Sequence, residues 1–291
     1  METLLQLAVS GIALGSIYGL VALGFLVLYQ ATGLVNFAQG QILMVGAMAA
    51  FVLLMQQGLS YPVTVIGIVV VSLLLTMVFR FGVHLPMTRR DAPSFLMVVA
   101  TIAFGLVLTA GAELWIGNRR YGVEPLIEGP PLQLGGVYIQ TQSLVIVVVS
   151  WALVGGLWFF FTKTLTGVSL RAIGVNRTAA DVSGVRVGWL VTLAFAISVG
   201  ATVIGGMLVA PLVGAGPTMG VAIAVKGFAA AVLGGMASVY RGMVAGVAIG
   251  LVELLSSYYI SSEWAPVIAY ALLFAALVLM PARIRMEGAH A

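Results

Sequence analysis

Long apolar stretches, separated by short polar segments, follow one another along the whole chain. A helix needs roughly 20 apolar residues to cross a bilayer core about 30 Å thick. The pattern predicts membrane-spanning helices at residues 4–29, 42–56, 62–79, 94–116, 143–161, 189–210, 219–236, 242–260 and 266–280. The second stretch is short and is a candidate for a broken or re-entrant piece, so the prediction is eight or nine spans.

The composition agrees with this pattern. Hydrophobic residues make up 62% of the chain and charged residues 8%, against about 45–50% and about 25% in soluble domains. A water-soluble globule of this length cannot bury so much apolar surface. We therefore expect an all-α, polytopic membrane bundle that forms one transmembrane domain over residues 1–291.

Basic residues indicate the orientation, because lysine and arginine collect in cytoplasmic loops. Most of them occur in four polar segments: Arg80, Arg89 and Arg90; Lys163, Arg171, Arg177 and Arg186; Arg241; and Arg283 with Arg285. Arg119 and Arg120 lie in a fifth segment, where Glu124 and Glu128 balance them. With nine spans, all four segments fall on one side. This predicts a cytoplasmic C-terminus, an external N-terminus and an external loop at residues 117–142. The basic residues form no single patch, so nothing points to nucleic acid.

The longest cytoplasmic segment, residues 162–188, is unusually polar for this chain. Gly167 and Gly174 bracket one short helical stretch. A weak capping box from Thr178 to Asp181 begins another, which Gly184 is suited to end. We interpret the segment as two short helices that lie against the membrane or a partner; an ordinary solvated loop is the alternative.

Two sets of glycines recur at a spacing of four residues, which places each set on one helix face. They are Gly11, Gly15 and Gly19, and Gly242, Gly246 and Gly250. Such faces allow close contact between membrane helices.

Lys226 and Glu253 interrupt two apolar stretches on either side of Arg241. If these stretches form a hairpin that turns at Arg241, both charges lie at similar depth. Unpaired charges there are costly, so we predict an ion pair. Two roles are open for this pair: it clamps the two helices together, or it is coupled to the opening of a transport pathway.

Several kinds of chemistry are missing from the sequence. It contains no GxxxxGK[ST] phosphate loop, no HExxH and no GxSxG. A transport subunit without its own energy source is therefore favoured over a membrane enzyme. A stand-alone secondary carrier or channel remains an alternative.

Four sequence blocks resemble the ABC permeases for branched-chain amino acids of the LivH type. They are TGLVNFAQGQILMVGAMAA (32–50), IAVKGFAAAVLGGMASVYRGMVAG (223–246), LVELLSSYY (251–259) and LVLMPARI (277–284). The 162–188 segment also fits, through the pattern GxxxRAxxxNxxxAxxxGV. The blocks follow one another in the order and with the gaps of that family.

The resemblance implies an importer in a bacterial inner membrane. A second, LivM-like permease completes the pore, two cytoplasmic subunits bind ATP, and a periplasmic binding protein delivers an amino acid. This chain itself needs no cofactor. The segment that meets an ATPase is expected to include Arg171, Gly174, Asn176, Ala180, Asp181 and Gly184.

The resemblance also gives pathway candidates in the NFAQGQ turn: Asn36, Phe37, Gln39, Gly40 and Gln41. Members of the family often carry an acid where Gln41 stands, so the exact substrate is left open. Urea, short amides and other amino acids are the alternatives to branched-chain amino acids.

Overall fold

The computed structural model describes residues 2–127, 129–134, 137–236 and 238–279. They form an all-α bundle with one short hairpin. The helices before the hairpin are α1 (Glu2–Thr32), α2 (Gln39–Phe51), α3 (Tyr61–Phe79), α4 (Leu85–Arg89) and α5 (Ser94–Ile116). Those after it are α6 (Thr141–Lys163), α7 (Leu165–Val175), α8 (Arg177–Val182), α9 (Val187–Val213), α10 (Met219–Leu233), α11 (Val239–Tyr259) and α12 (Ala265–Leu279).

Seven helices of the described residues are long and apolar enough to cross a membrane. They are α1, α2 with its π-helical extension Val52–Gln56, α3 continued through α4, α5, α6, α9 and α11. The apolar helices α10 and α12 have 15 residues each over the described part of the chain, which accounts for the difference from the eight or nine predicted spans.

Arg80 does not lie in a loop, contrary to the prediction from charge. A π-helical turn, Arg80–His84, joins α3 to α4, so the helix runs on without a break to Arg89. Pro86 lacks the N–H that an α-helix would use there, and a π-helical turn accommodates the missing bond. Arg80 is buried, with Nη1 3.3 Å from Nδ1 of His84.

Helices α1 and α9 lie at the centre of the bundle, because 89% and 72% of the residues in an apolar 18-residue stretch of each are buried. Helix α5 is peripheral, with 11% of the residues in such a stretch buried. The main core cluster joins α1 and α9 to α2 and α10. The most extensive contact between helices is that of α1 with α11.

The segment between α5 and α6 contains the antiparallel strands β1 (Leu132–Leu134) and β2 (Val137–Ile139). It is tied to the turn after α9 by a β-bridge between Tyr121 and Ala215. The hydroxyl of Tyr61 donates to the carbonyl oxygen of Glu124 at 2.7 Å, which links the same segment to the start of α3. One end of the bundle is thus covered by connected loops.

The tail that carries Arg283 and Arg285 lies outside the described residues, as does Met280 at the end of the last predicted span.

Candidate functional site

The turn between α1 and α2 places its polar side chains inside the bundle. Gly33 has a φ of +70°, a conformation that disfavours a side chain, and turns the chain away from α1. Asn36 is buried, and its Oδ1 accepts from the N–H of Ala38 at 3.0 Å. Its Nδ2 donates to Oε1 of Gln39 at 3.2 Å. The turn is therefore held by its own buried amides.

Gln39 joins this turn to the middle of α9. Its Nε2 donates to Oγ1 of Thr202 at 2.5 Å and to Oγ of Ser198 at 3.3 Å. Ser198 in turn donates to the carbonyl oxygen of Gly24 on α1 at 2.7 Å. All these polar side chains are buried. Because each has a partner, the network fixes α1, α2 and α9 relative to one another.

Small residues allow the backbones around this network to approach closely. A Cβ on Gly24 would overlap Nε2 of Gln39. Gly40 of α2 and Gly220 of α10 face each other, and a Cβ on either residue would meet the carbonyl group of the other. The start of α2 is thereby packed against the start of α10.

Phe37 and Gln41 lie beside this contact, at a cavity of about 230 Å³ between α1, α2, α5 and α10. Phe37 is 43% exposed, whereas Asn36 and Gln39 are buried. The five pathway candidates therefore separate into two groups. Phe37 and Gln41 line open space, and Asn36, Gln39 and Gly40 support the wall behind it.

The two glycine faces pack against each other, which the spacing alone did not indicate. A Cβ on Gly15 would lie 2.5 Å from Cα of Val247 and 2.7 Å from the carbonyl oxygen of Gly246. Gly250 of α11 approaches Gly11 and Gly15 of α1 in the same way. These contacts are the reason that α1 and α11 lie so close together.

Lys226 and Glu253 form a salt bridge, Nζ to Oε1, at 2.5 Å. Tyr18 of α1 completes the cluster: its hydroxyl donates to Oε2 of Glu253 at 2.7 Å and accepts from Nζ of Lys226 at 3.3 Å. The ammonium group also lies 5.3 Å from the centre of the Tyr18 ring. Three helices, α1, α10 and α11, are therefore joined by one buried charge cluster.

The 162–188 segment contains two short helices, α7 and α8. Thr164 caps α7 by accepting from the N–H of Gly167 at 3.1 Å. Asn176 caps α8 by accepting from the N–H of Ala179 at 2.9 Å. The cap of α8 is thus Asn176 and not Thr178, so the predicted capping box is wrong; the amide of Asn176, two residues earlier, already binds the free N–H group. Gly184, with a φ of +82°, follows the end of α8.

The six predicted contact residues of this segment do not share one exposed face. Arg171, Gly174, Asn176, Asp181 and Gly184 are exposed. Ala180 is buried in a cluster with Leu28 and Phe79. Gly174, although exposed, also lies against the end of α1, where a Cβ would overlap the carbonyl oxygen of Gln30.

Sequence reasoning missed Ser198, Thr202 and Tyr18. The two hydroxyl residues lie at a spacing of four on one face of α9, a detectable signal. Nothing in the sequence around Tyr18 indicated that it reaches Glu253, 235 residues away.

Comparisons with known proteins cover almost the whole chain. The family model "Branched-chain amino acid transport system / permease component" matches residues 7–277. The chain is 27% identical to the high-affinity branched-chain amino acid transport system permease protein LivH of Salmonella typhimurium, over 96% of this chain and 94% of that protein. It is also 27% identical to LivH of Escherichia coli, over the same shares. The corresponding protein BraD of Pseudomonas aeruginosa is 26% identical over 96% of this chain and 95% of its own length. No solved structure matches this chain.

Proposed function

This chain belongs to the family of branched-chain amino acid transport system permease components, and we propose that it forms half of the membrane passage of an ATP-driven importer for branched-chain amino acids. It is a multi-pass membrane protein and a transport component rather than an enzyme. The observation that carries the substrate proposal is the match along 96% of the chain to permeases named for branched-chain amino acid transport.

The proposed topology has nine spans, with α10 and α12 added to the seven long helices. Arg241 then lies at the same end of the bundle as the 162–188 segment, which includes Lys163. This end is cytoplasmic by the distribution of basic residues. The hairpin and the residues 117–142 lie at the other, external end, in a bacterial inner membrane.

The proposed partners are a second, LivM-like permease, two cytoplasmic ATP-binding subunits and a periplasmic substrate-binding protein. Such an assembly supplies the phosphate-binding loop for ATP, a motif that the sequence of this chain does not contain. ATP then binds only to the partner subunits. The substrate is delivered at the external end, and movement of the ATP-binding subunits acts on the cytoplasmic end.

Reconstitution tests this proposal directly. The chain alone in proteoliposomes is expected to give no leucine uptake, with or without an ion gradient. Uptake is expected once the second permease, the ATP-binding subunits, the binding protein and ATP are present. Leucine uptake by the chain alone, driven by an ion gradient, would instead identify a secondary carrier.

We propose that α7 and α8 receive the movement of an ATP-binding subunit. They are suited to transmit force because both are anchored in the bundle. Leu170 and Ile173 of α7 are buried, and Ala180 anchors α8. On the outer side of α8, Val182 is 84% exposed and lies next to the exposed carboxylate of Asp181. An exposed apolar side chain of this kind is suited to contact another protein.

Replacing Val182 with aspartate is expected to reduce ATP-driven uptake about tenfold without lowering the amount of folded protein. The new charge would be desolvated in the proposed contact, although it is harmless on a free surface. Uptake and ATP hydrolysis are measured in the reconstituted transporter. Gly188→Asp is the matched control, because Gly188 lies near the same end, is exposed and has open space around it. Equal uptake by the two variants would contradict the coupling role of α8.

A further inference from the structure

The cavity between α1, α2, α5 and α10 has a largely apolar lining. Three phenylalanines, Phe25, Phe37 and Phe228, form its walls together with aliphatic residues that include Ile102 and Val221. Its volume of about 230 Å³ is below the roughly 300–1,000 Å³ of pockets for drug-sized ligands. The space therefore suits a small and mainly apolar molecule.

The phenylalanines hold one another in place. The rings of Phe25 and Phe228 meet edge to face, with centroids 5.4 Å apart. Phe37 lies against the other side of the cavity, 6.0 Å from Phe228. Because Phe228 contacts both rings, the three form a connected apolar surface. Behind this surface, the contact between Gly40 and Gly220 and the bonds of Gln39 keep the walls fixed.

One polar side chain, that of Gln41, lines the cavity. Gly105 of α5 makes room for it: a Cβ there would lie 2.9 Å from Oε1 of Gln41. Within the described part of the chain, the Gln41 amide has no hydrogen-bond partner, in contrast to Gln39 two residues earlier. The amide is thus free to bind a polar group of a molecule in the cavity.

We propose that this cavity receives the aliphatic side chain of a zwitterionic amino acid, with the Gln41 amide bonded to its ammonium or carboxylate group. The inference rests on the proposed importer function and adds to it a binding site for the substrate side chain. Urea and the shortest amides carry no branched aliphatic side chain that would gain by leaving water for the apolar walls. A branched side chain instead gains by leaving water for the phenylalanine surface.

If the cavity receives the substrate side chain, filling it is expected to reduce the uptake of large substrates more than the uptake of small ones. Val221 lines it and is 54% exposed, so Val221→Phe adds volume there without disturbing the packed core. In the complete reconstituted transporter, with saturating binding protein, we expect leucine uptake to fall about tenfold and valine uptake to fall less. Ile102→Trp fills the same space from α5 and is expected to give the same order of effects.

Val78→Phe is the matched control, because Val78 is 57% exposed on α3 and does not line this cavity. If Val221→Phe and Ile102→Trp transport leucine and valine as the control does, the cavity is no substrate site. This result differs from failure of the proposed function, in which the unmodified complex also transports no leucine.

Discussion

Replacing Gly15 with leucine is expected to prevent α1 and α11 from packing, and so to destabilise the whole protein. The Cβ of any residue at this position would lie 2.5 Å from Cα of Val247 and 2.7 Å from the carbonyl oxygen of Gly246. Both are backbone atoms, which cannot rotate aside as a side chain can. Overpacking costs about 1–3 kcal/mol where side chains can adapt. We therefore expect a loss of at least about 3 kcal/mol here.

The measurement is thermal unfolding of the purified protein in detergent, followed by size-exclusion chromatography. A loss of about 3 kcal/mol corresponds to a shift of about 6–12 °C in the unfolding midpoint. Gly155→Leu is the control, because Gly155 also lies in a long apolar helix, α6, but a Cβ added there would have no neighbouring atom within 4 Å. If both variants unfold at the temperature of the unmodified protein, the contact between the glycine faces does not hold the bundle together.

Replacing Lys226 with methionine is expected to destabilise the protein by about 3–5 kcal/mol, because a buried charge is then left without its partner. Glu253 would keep the hydrogen bond from Tyr18 but lose the ammonium group. The double variant Lys226→Met with Glu253→Gln is expected to recover most of this loss. The glutamine is neutral, and its amide oxygen still accepts from the Tyr18 hydroxyl.

Thermal unfolding and leucine uptake are both measured for these variants. Lys163→Met is the control for unfolding, because it removes a charge at the end of α6, outside the buried cluster, and is expected to leave the unfolding midpoint unchanged. We expect the double variant to transport, as a helix clamp requires. A double variant that is stable but does not transport would assign the pair to the opening of the pathway.

Most of the helices were predictable from the sequence, because the apolar stretches are long and their ends are polar. The predicted span 94–116 matches α5 at both ends. The prediction for α2 began three residues late, because Gln39 and Gln41 look like loop residues. In the structure, Gln39 is buried and bonded to Thr202, a partner 163 residues away that no local pattern reveals.

The candidate site was predictable only in part, because contacts between neighbouring helices follow from the sequence whereas contacts between distant segments do not. The approach of Lys226 to Glu253 follows from hairpin geometry, since both lie on neighbouring helices of known rise. Tyr18 joins them from a helix at the far end of the sequence. In the 162–188 segment, spacing predicted two helices, but burial of Ala180 depends on the packing of α8 against Leu28 and Phe79.

The contact between α1 and α11 has a consequence for biosynthesis. The Tyr18–Glu253 hydrogen bond spans 235 residues, which a ribosome adds in about 10–50 s at roughly 5–20 residues per second. During that time the glycine face of α1 has no native partner. Helix α1 must therefore wait for α11, which is synthesised much later, and chains that end before α11 are expected to be substrates for membrane proteases.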